Sequence, residues 1–496
     1  MEIGTVVCKD ETPNTNNFYF VATKESKVKK GLFVQTKTRE GLLIGRIEEI
    51  IKTNRYFMQP ETISNYETSI NLHFPTDKWE FLLCKVYCLG ILNETVKRAN
   101  YPVSPGETVK IAENENLEKL FKFDKNGLNI GKLIGHNLEV KLNLNRLFQK
   151  HLAILALSGA GKSYAVCVLI EELIKRTDAQ GKVGILVIDP HGEYSSFAYD
   201  ENFSNKTNLI KGKDIRIGLT NLSTYYYTWF LPNLSFAQER DLIKIVEELK
   251  KSGDVFGIRE VMQKIEESEN IKQATKDVLF STLHSLNSMR LFGYYDTPSI
   301  DSLIVPGQVS ILDISEITNE KKKQMIVAYF LRELFNKRIK RKIPPFIAFI
   351  EEAHNFAPER SYKESFSKEI IEKIAREGRK FNGLLCLVSQ RPVHLSTTSL
   401  SQCNTHMYMR ITNPYDLKHI GESSEGLTNE LLKSITTLEV GECVLVGEAS
   451  SFPLFARIRE KVVKDIETRK SLEDECIDYF EKKKNNRKNV RDLMES

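Results

Sequence analysis

The 496-residue sequence predicts an α/β protein in two unequal parts: a small β-barrel, then a largely parallel sheet covered by helices on both faces. Three observations carry this reading. Up to about residue 110 the chain offers short runs rich in β-branched and aromatic residues, separated by polar turns. From His151 onward, continuous apolar runs alternate with helical stretches, the pattern of strands buried on both faces. At residues 156–163 a glycine-rich turn joins one of those strands to a helix.

Taken in order, IGTVV, FYFVAT, LFVQTK, LLIGRIEEI and FLLCKVYCLG read as strands, with KDETPNTNN and KTREG as turns. Closing so many short strands into a barrel over residues 1–110 leaves no exposed edge. A bridging segment, 111–150, follows through NIGKLIGHNLEVKLNLNRLFQ. The α/β region spans 151–460, with strands LAILAL, VGILVID, VSILDIS, FIAFIEE, GLLCLVS, HMYMRI and ECVLVG. Between about 232 and 300 the pattern is helical and strand-free, as in AQERDLIKIVEELKKS and IREVMQKIEES, and reads as a helical insertion. Residues 461–496 form a helical C-terminal tail built on the charged stretch ETRKSLEDECIDYFEKKK.

Composition bounds the function classes. Hydrophobic residues at 41% and charged residues at 28% are ordinary for a soluble globular chain. No apolar run is long enough to span a bilayer, and MEIGTVVCKDETPN lacks the basic start and apolar core of a signal peptide, so the expected location is the cytoplasm, with no membrane contact. The net charge of +5 is too small to mark a nucleic-acid binder by itself, so any such contact must come from local basic clusters. Cys84 and Cys88 are a close pair, but no second pair or nearby histidine completes a zinc set, which favours buried reduced thiols.

The sharpest motif is Ala156-Leu-Ser158-Gly159-Ala160-Gly161-Lys162-Ser163, after the strand LAIL and before the helix YAVCVLIEELIKR. Backbone N–H groups of such a loop wrap phosphates, and the helix N-terminus adds positive potential. Lys162 is placed to reach the β and γ phosphates of a nucleotide, Ser163 to ligate Mg²⁺, and Tyr164 completes the nucleotide-binding stretch. Ala156 stands where the usual pattern has its first glycine, which fits if the residue keeps a negative φ.

Three strands end in acids: ILVID at Asp189, VSILD at Asp313, and FIAFI at Glu351-Glu352-Ala-His354. Pattern alone does not choose cleanly among them, but a hydrolytic site needs one carboxylate near the metal and another to polarise water, and only Glu351-Glu352 supplies both side by side. Glu351 is expected near the metal and Glu352 as the base. Asp189 opens the polar turn Asp189-Pro-His191-Gly-Glu193-Tyr194 at the carboxyl end of a strand, where ligands collect, and is a nucleotide-binding candidate. Asp313 reads equally as a turn or cap residue. Gln390, after GLLCLVS, is placed to sense the γ-phosphate and the attacking water.

Read together, IDPHGEY, IEEAHNF, REGRKFNG, SQRP and ITNPYDLKHI, in this order beside the glycine-rich loop, resemble the HerA family of FtsK-like ATPases over residues 130 to about 460. An N-terminal β-barrel is also a trait of that family. The resemblance implies a RecA-like core, a homohexameric ring, ATP with Mg²⁺, and ATP-driven movement of double-stranded DNA through a central channel. Each site lies between subunits, with Arg376 and Arg379 of Ala-Arg376-Glu-Gly378-Arg379-Lys380 as the arginine candidates. Gly378 is expected to end the helix SKEIIEKIAREGRK. Relatives often carry arginine just before the histidine that opens the P-loop strand. Here that residue is Lys150, which keeps the charge but loses the bidentate fork.

Archaeal members work with a NurA nuclease on DNA ends, and some bacterial members assemble with sirtuin-like NAD-consuming or nuclease effectors in antiviral defence. The resemblance therefore implies an effector partner without identifying it. The expected function is an ATP-driven DNA translocase or helicase; the alternative is a ring acting as assembly scaffold and switch without processive movement. Two weaker signals remain. The cluster Lys337-Arg338-Ile-Lys340-Arg341-Lys342 reads as a phosphate patch or, preferably, as a solvated helix end. The loop Asn355 to Lys368, with Arg360 and Lys363, is a channel candidate but reads better as an ordinary surface loop.

Overall fold

The computed structural model describes residues 2–8, 13–54, 80–93, 95–220, 222–231, 233–359, 365–423, 427–464 and 472–481. The first strands are β1 (Glu2–Val7), β2 (Asn17–Ala22), β3 (Phe33–Thr38), β4 (Gly41–Asn54), β5 (Glu80–Leu92), the two-residue β6 (Val96–Lys97) and β7 (Thr108–Ile111). Six of them close a ring in the order β1-β7-β3-β4-β5-β2, and β6 pairs with β5 outside it. The period of two is explicit in β2, where Phe18, Phe20 and Ala22 are buried and the residues between them are less so. Pairing of β2 with β5 completes the barrel and removes its free edges. Cys84 and Cys88 lie buried in β5, and burial pushes their thiols up to about 11 and about 12.

The segment read as a bridge is built into the second layer. It contains the helix Asn114–Phe121 and the strands β8 (Leu128–Leu133) and β9 (Glu139–Leu142). Phe33 of the barrel packs edge-on against Phe121 with ring centroids 5.4 Å apart, and its N–H donates to His136 Nε2 at 3.1 Å. The barrel is thus seated on an apolar contact rather than tethered by a linker.

The remaining strands are β10 (Leu152–Leu155), β11 (Gly184–Asp189), β12 (Thr207–Lys211), the short β13 (Ile217–Gly218) and β14 (Phe292–Gly293), β15 (Val309–Asp313), β16 (Phe346–Ile350), β17 (Gly383–Ser389), β18 (Thr405–Tyr408), β19 (Glu442–Gly447) and β20 (Leu454–Ile458). An eleven-stranded sheet runs β12-β15-β11-β16-β17-β10-β18-β19-β20-β8-β9. From β12 to β18 neighbours are parallel; from β18 to β9 they are antiparallel. Alternate residues of β10 enter different cores. Leu152 and Ile154 pack with the helix Lys162–Lys175, whereas Ala153 and Leu155 pack with the cluster holding the helices Glu320–Ile339 and Lys368–Phe381. Burial on both faces explains why these strands read as unbroken apolar runs.

Two expectations need correction. The stretch between about 232 and 300 holds the helices Phe236–Ser252, Ile258–Glu267 and Gln273–Ser288, but it is not strand-free. Phe292–Gly293 pairs in parallel with Ile217–Gly218, and two residues are too short for any periodicity to betray. Gly378 does not end its helix, which continues to Phe381 and stops at Asn382 in the left-handed region (φ 52°). Gly378 is there for close packing instead: a Cβ on it would stand 2.1 Å from the Gly383 carbonyl oxygen. Of the charged C-terminal stretch, 472–481 is helical, and its two ends lie outside the described residues. No helix among the described residues is long and apolar enough to cross a membrane.

Candidate functional site

The strand order decides which loops meet. β17 lies between β10 and β16, so the segments leaving the carboxyl ends of these three strands are neighbours at one edge of the sheet. Those segments are the glycine-rich loop, the turn beginning at Gln390 and the Glu351-Glu352 pair. Asp189 and Asp313 end β11 and β15, one and two strands farther out.

The loop opens with Ala156 N–H donating to the Ser389 carbonyl at 3.2 Å and Leu157 N–H donating to that of Arg410 at 3.0 Å. Ala156 is buried and is not among the residues of positive φ, so alanine fits where glycine is usual. Gly161 caps the helix Lys162–Lys175 at φ 100°, where a side chain would be strained and would crowd Met409. Ser158, Gly159, Ala160 and Ser163 follow the loop round to the helix start. Tyr164 is 36% exposed, and its hydroxyl accepts from the Lys461 N–H at 2.7 Å.

Lys162 turns inward. Its ammonium lies 2.8 Å from Glu351 Oε2 and 2.9 Å from Glu352 Oε1, and all three residues are buried. Burial opposes the lysine's charge, but the two carboxylates outweigh it and its pKa is raised. Burial also raises the pKa of Glu351, against the pull of Lys162 and Tyr194. The other oxygen of Glu351 accepts from the Tyr194 hydroxyl. Glu352 adopts a left-handed backbone (φ 48°, ψ 47°) at the start of a 3₁₀ turn, an uncommon conformation for a non-glycine residue. Its Oε2 is buried without a hydrogen-bond partner among the described residues, with His354 Nδ1 3.3 Å away.

Asp189 is placed to build a turn. Its Oδ1 accepts from the N–H groups of His191, Gly192 and Glu193 at 3.2, 2.8 and 3.2 Å, and its Oδ2 from Tyr194 N–H at 2.9 Å. Burial pushes this carboxyl up to about 6 despite those donors. The turn so held delivers the Tyr194 hydroxyl to Glu351. Asp313 is engaged by Lys211 Nζ at 2.6 Å and Ser315 Oγ at 2.6 Å, which overcome the effect of burial and lower its pKa. Glu351 and Glu352 are the strand-end acids that meet the P-loop lysine.

Gln390 is half-buried just after β17. Arg376 and Arg379 lie on the outer face of the helix Lys368–Phe381, whose inner face buries Ile370, Ile371, Ile374, Ala375 and Gly378. Arg376 is half exposed, with its guanidinium 3.6 Å from Glu372. Lys150 donates to Gln402 Oε1. In the basic cluster, at the end of the helix Glu320–Ile339, Arg338 Nη1 donates to the Ile343 carbonyl at 2.7 Å and Lys337 pairs with Asp301 at 2.6 Å. Arg360 and Lys363 lie outside the described residues.

Tyr194, His354 and Ser389 carry no legible role in the sequence, although each stands inside one of the motifs above. The signal was their position one to five residues from a strand-end acid or glutamine; their contacts depend on strand order. His151, immediately before β10 and outside those motifs, is also engaged: its Nδ1 accepts from Leu385 N–H at 2.9 Å, which leaves Nε2–H to donate to the Ala375 carbonyl at 3.0 Å.

A phosphate-wrapping loop whose lysine is met by two acids, one strand removed across a parallel sheet, defines a P-loop ATPase. The family model described as "Helicase HerA, central domain" matches residues 128–334. The DNA double-strand break repair helicase HerA of Pyrococcus furiosus is 30% identical over 513 residues, covering 89% of this chain and 90% of that one. The protein of the same name from Saccharolobus solfataricus is 31% identical, covering 75% of this chain and 76% of its own. Among solved structures, VirB4 of Thermoanaerobacter pseudethanolicus superposes with a TM-score of 0.51 at 15% identity, covering 68% of this chain and 97% of that one, a likeness of fold. The chain belongs to the HerA family and is an ATPase.

Proposed function

We propose that this ATPase is a cytoplasmic, ring-forming motor with a RecA-like core that moves double-stranded DNA at the expense of ATP and works with an effector protein. The observation that carries the reading is the meeting of Lys162 with Glu351 and Glu352 beside the strand that leads to Gln390. Lys162 binds the β and γ phosphates, Ser158 to Tyr164 hold the nucleotide, Glu352 takes the proton of the attacking water, and Gln390 orients that water. Asp189 acts through the turn that places Tyr194. The hydroxyl of Ser163 and the carboxylate of Glu351 are hard oxygen donors that fit Mg²⁺. Ser163 would hold the ion directly, and Glu351, whose two oxygens already engage Lys162 and Tyr194, would reach it through water. An ion held there would supply neutralisation of phosphate charge.

Arg376 and Arg379 face outward from their own subunit, which suits an arginine supplied to a neighbour's site in a homohexamer. The names of the relatives in Pyrococcus and Saccharolobus support DNA as the substrate. The barrel (1–110), the bridge (111–150), the ATPase domain (151–460) with its insertion, and the tail (461–496) are the proposed functional units. The barrel is the proposed seat of the effector, a nuclease or an NAD-consuming enzyme acting in DNA-end processing or antiviral defence.

The test is ATP turnover with and without duplex DNA, together with displacement of a block from one DNA end. Stimulation by unrelated duplexes, weakening steeply as salt rises, and ATP-dependent displacement are expected. Effector activity that persists with Lys162→Ala protein and no movement along DNA would favour the scaffold reading instead.

A further inference from the structure

His354 follows the acid pair by two residues and lies beside it with its side chain 11% exposed, and its Nδ1 lies 3.0 Å from Ser389 Oγ as well as 3.3 Å from Glu352 Oε2. Ser389 is fully buried at the end of β17 and has three attachments. Its carbonyl accepts from Ala156 N–H at the start of the P-loop, its hydroxyl accepts from Arg391 N–H at 3.1 Å, and the same hydroxyl meets His354. One residue therefore touches the P-loop, the Gln390–Arg391 turn and the imidazole nearest to Glu352.

The electrostatics fix how the imidazole is used. Burial holds the His354 ring down to about 4, against the pull of Glu352, so the ring is neutral near pH 7. A neutral ring that turned a bare Nδ1 toward a carboxylate oxygen would set lone pair against lone pair. The tautomer with hydrogen on Nδ1 removes that repulsion: the N–H donates to Ser389 Oγ at 3.0 Å and stands 3.3 Å from Oε2, an oxygen with no hydrogen-bond partner among the described residues. Glu352 is held at Oε1 by Lys162, whose charge the proposed nucleotide phosphates would draw away. Once that happens, the hold on the base falls to His354.

We propose that His354 and Ser389 are positioning residues of the hydrolytic step. His354 orients Glu352 through Oε2, and Ser389 sets the imidazole and links it to the Gln390–Arg391 turn. This rests on the reading of Glu352 as the base. A contact of 3.3 Å suits the role, because such hydrogen bonds are often long before the reacting complex forms.

The experiment compares steady-state ATP hydrolysis and ATP affinity in full-length protein carrying His354→Ala, His354→Asn and Ser389→Ala, each also in a Glu352→Gln background. His354→Ala is expected to lower kcat by about tenfold to a hundredfold with KM and ATP affinity held within about twofold, since misplacing a reacting group costs rate rather than binding. His354→Asn, which keeps an N–H donor, should recover most of the loss, and Ser389→Ala should lower kcat severalfold. In the Glu352→Gln background none of the three should lower the residual rate further, because the group they position is gone. The assignment is overturned if His354→Ala turns over normally, if its loss simply adds to that of Glu352→Gln, or if kcat and ATP affinity fall together and the asparagine restores neither. Should His354→Ala fail to fold, the asparagine and serine variants decide the matter on the same readings. Full activity of Glu352→Gln alone would remove the underlying reading of the base; an inactive Glu352→Gln beside a fully active His354→Ala would remove only the positioning role.

Discussion

The Lys162 ammonium lies 2.9 Å from Glu352 Oε1, tying the phosphate-binding loop to the loop that follows β16 across the width of one intervening strand. With Glu351 Oε2 at 2.8 Å, a single buried cation serves two buried carboxylates. The arrangement is tense in an electrostatic sense: remove the cation and two buried acids are left without that counter-charge.

Lys162→Ala should therefore do more than abolish turnover. It should also lower the stability of the fold by about 3–5 kcal/mol, or leave one of the acids protonated and the loss smaller. Equilibrium unfolding of the variant across pH 5 to 8 distinguishes these outcomes. An inactive variant of unchanged stability at every pH would mean that the ion pair contributes nothing to the fold.

Glu352→Gln should keep nucleotide binding and slow hydrolysis by about tenfold or more, the usual cost of losing a base. Asp313→Asn weakens an ion pair with Lys211 two strands beyond β16 and should turn over normally. Measuring both with one ATPase assay is decisive, since the reverse pattern would transfer the base to Asp313.

An arginine acting across a subunit boundary predicts complementation. Arg376→Ala or Arg379→Ala should bind ATP and fail to hydrolyse it, because the missing charge matters most in the transition state. Mixed with Glu352→Gln protein under conditions of subunit exchange, about a quarter of interfaces pair an intact glutamate with an intact arginine. Activity should return on mixing. Normal hydrolysis by both arginine variants, or an active monomer, would end the idea.

His151 predicts how stability responds to acid. The ring accepts at Nδ1 and donates at Nε2, so only its neutral form satisfies both contacts, and burial holds its pKa down to about 4. The unfolded chain takes up a proton near the ordinary value of 6.5. This contribution is thus fully present above about pH 6.5 and is lost as pH falls toward 4, by on the order of 3 kcal/mol. His151→Gln should flatten that part of the stability–pH curve. An unchanged slope would show that the ring contributes nothing to it.

Gly378→Ala tests the close approach of helix to strand. The added methyl would stand 2.1 Å from the Gly383 backbone oxygen, and the helix must move away. We expect a loss of about 1–3 kcal/mol in unfolding free energy, the cost of overpacking, although alanine is the better helix former. A stabilised variant would mean that the helix backs off freely.

The sequence by itself determined the elements and the chemistry available to them. Apolar runs such as GILVID and GLLCLVS are buried on both faces and announce themselves as strands, and the loop from Ala156 to Ser163 carries its own signature in its glycines, lysine and serine. It also offered three strand-end acids, and pattern could favour Glu351-Glu352 only because two carboxylates stand side by side. What the tertiary structure decided was adjacency. Strand order follows from packing between residues far apart in the chain, so nothing local to β17 reveals that it runs between β10 and β16. That order brings Lys162 to Glu351 across 189 positions of sequence and Ser389 to His354 across 35, while it leaves Asp313 to Lys211. The same reason accounts for Gly378, which reads locally as a helix terminator and acts as a place where a helix must touch a strand. A periodicity reports which face of an element is buried; which neighbour buries it is a property of the whole fold.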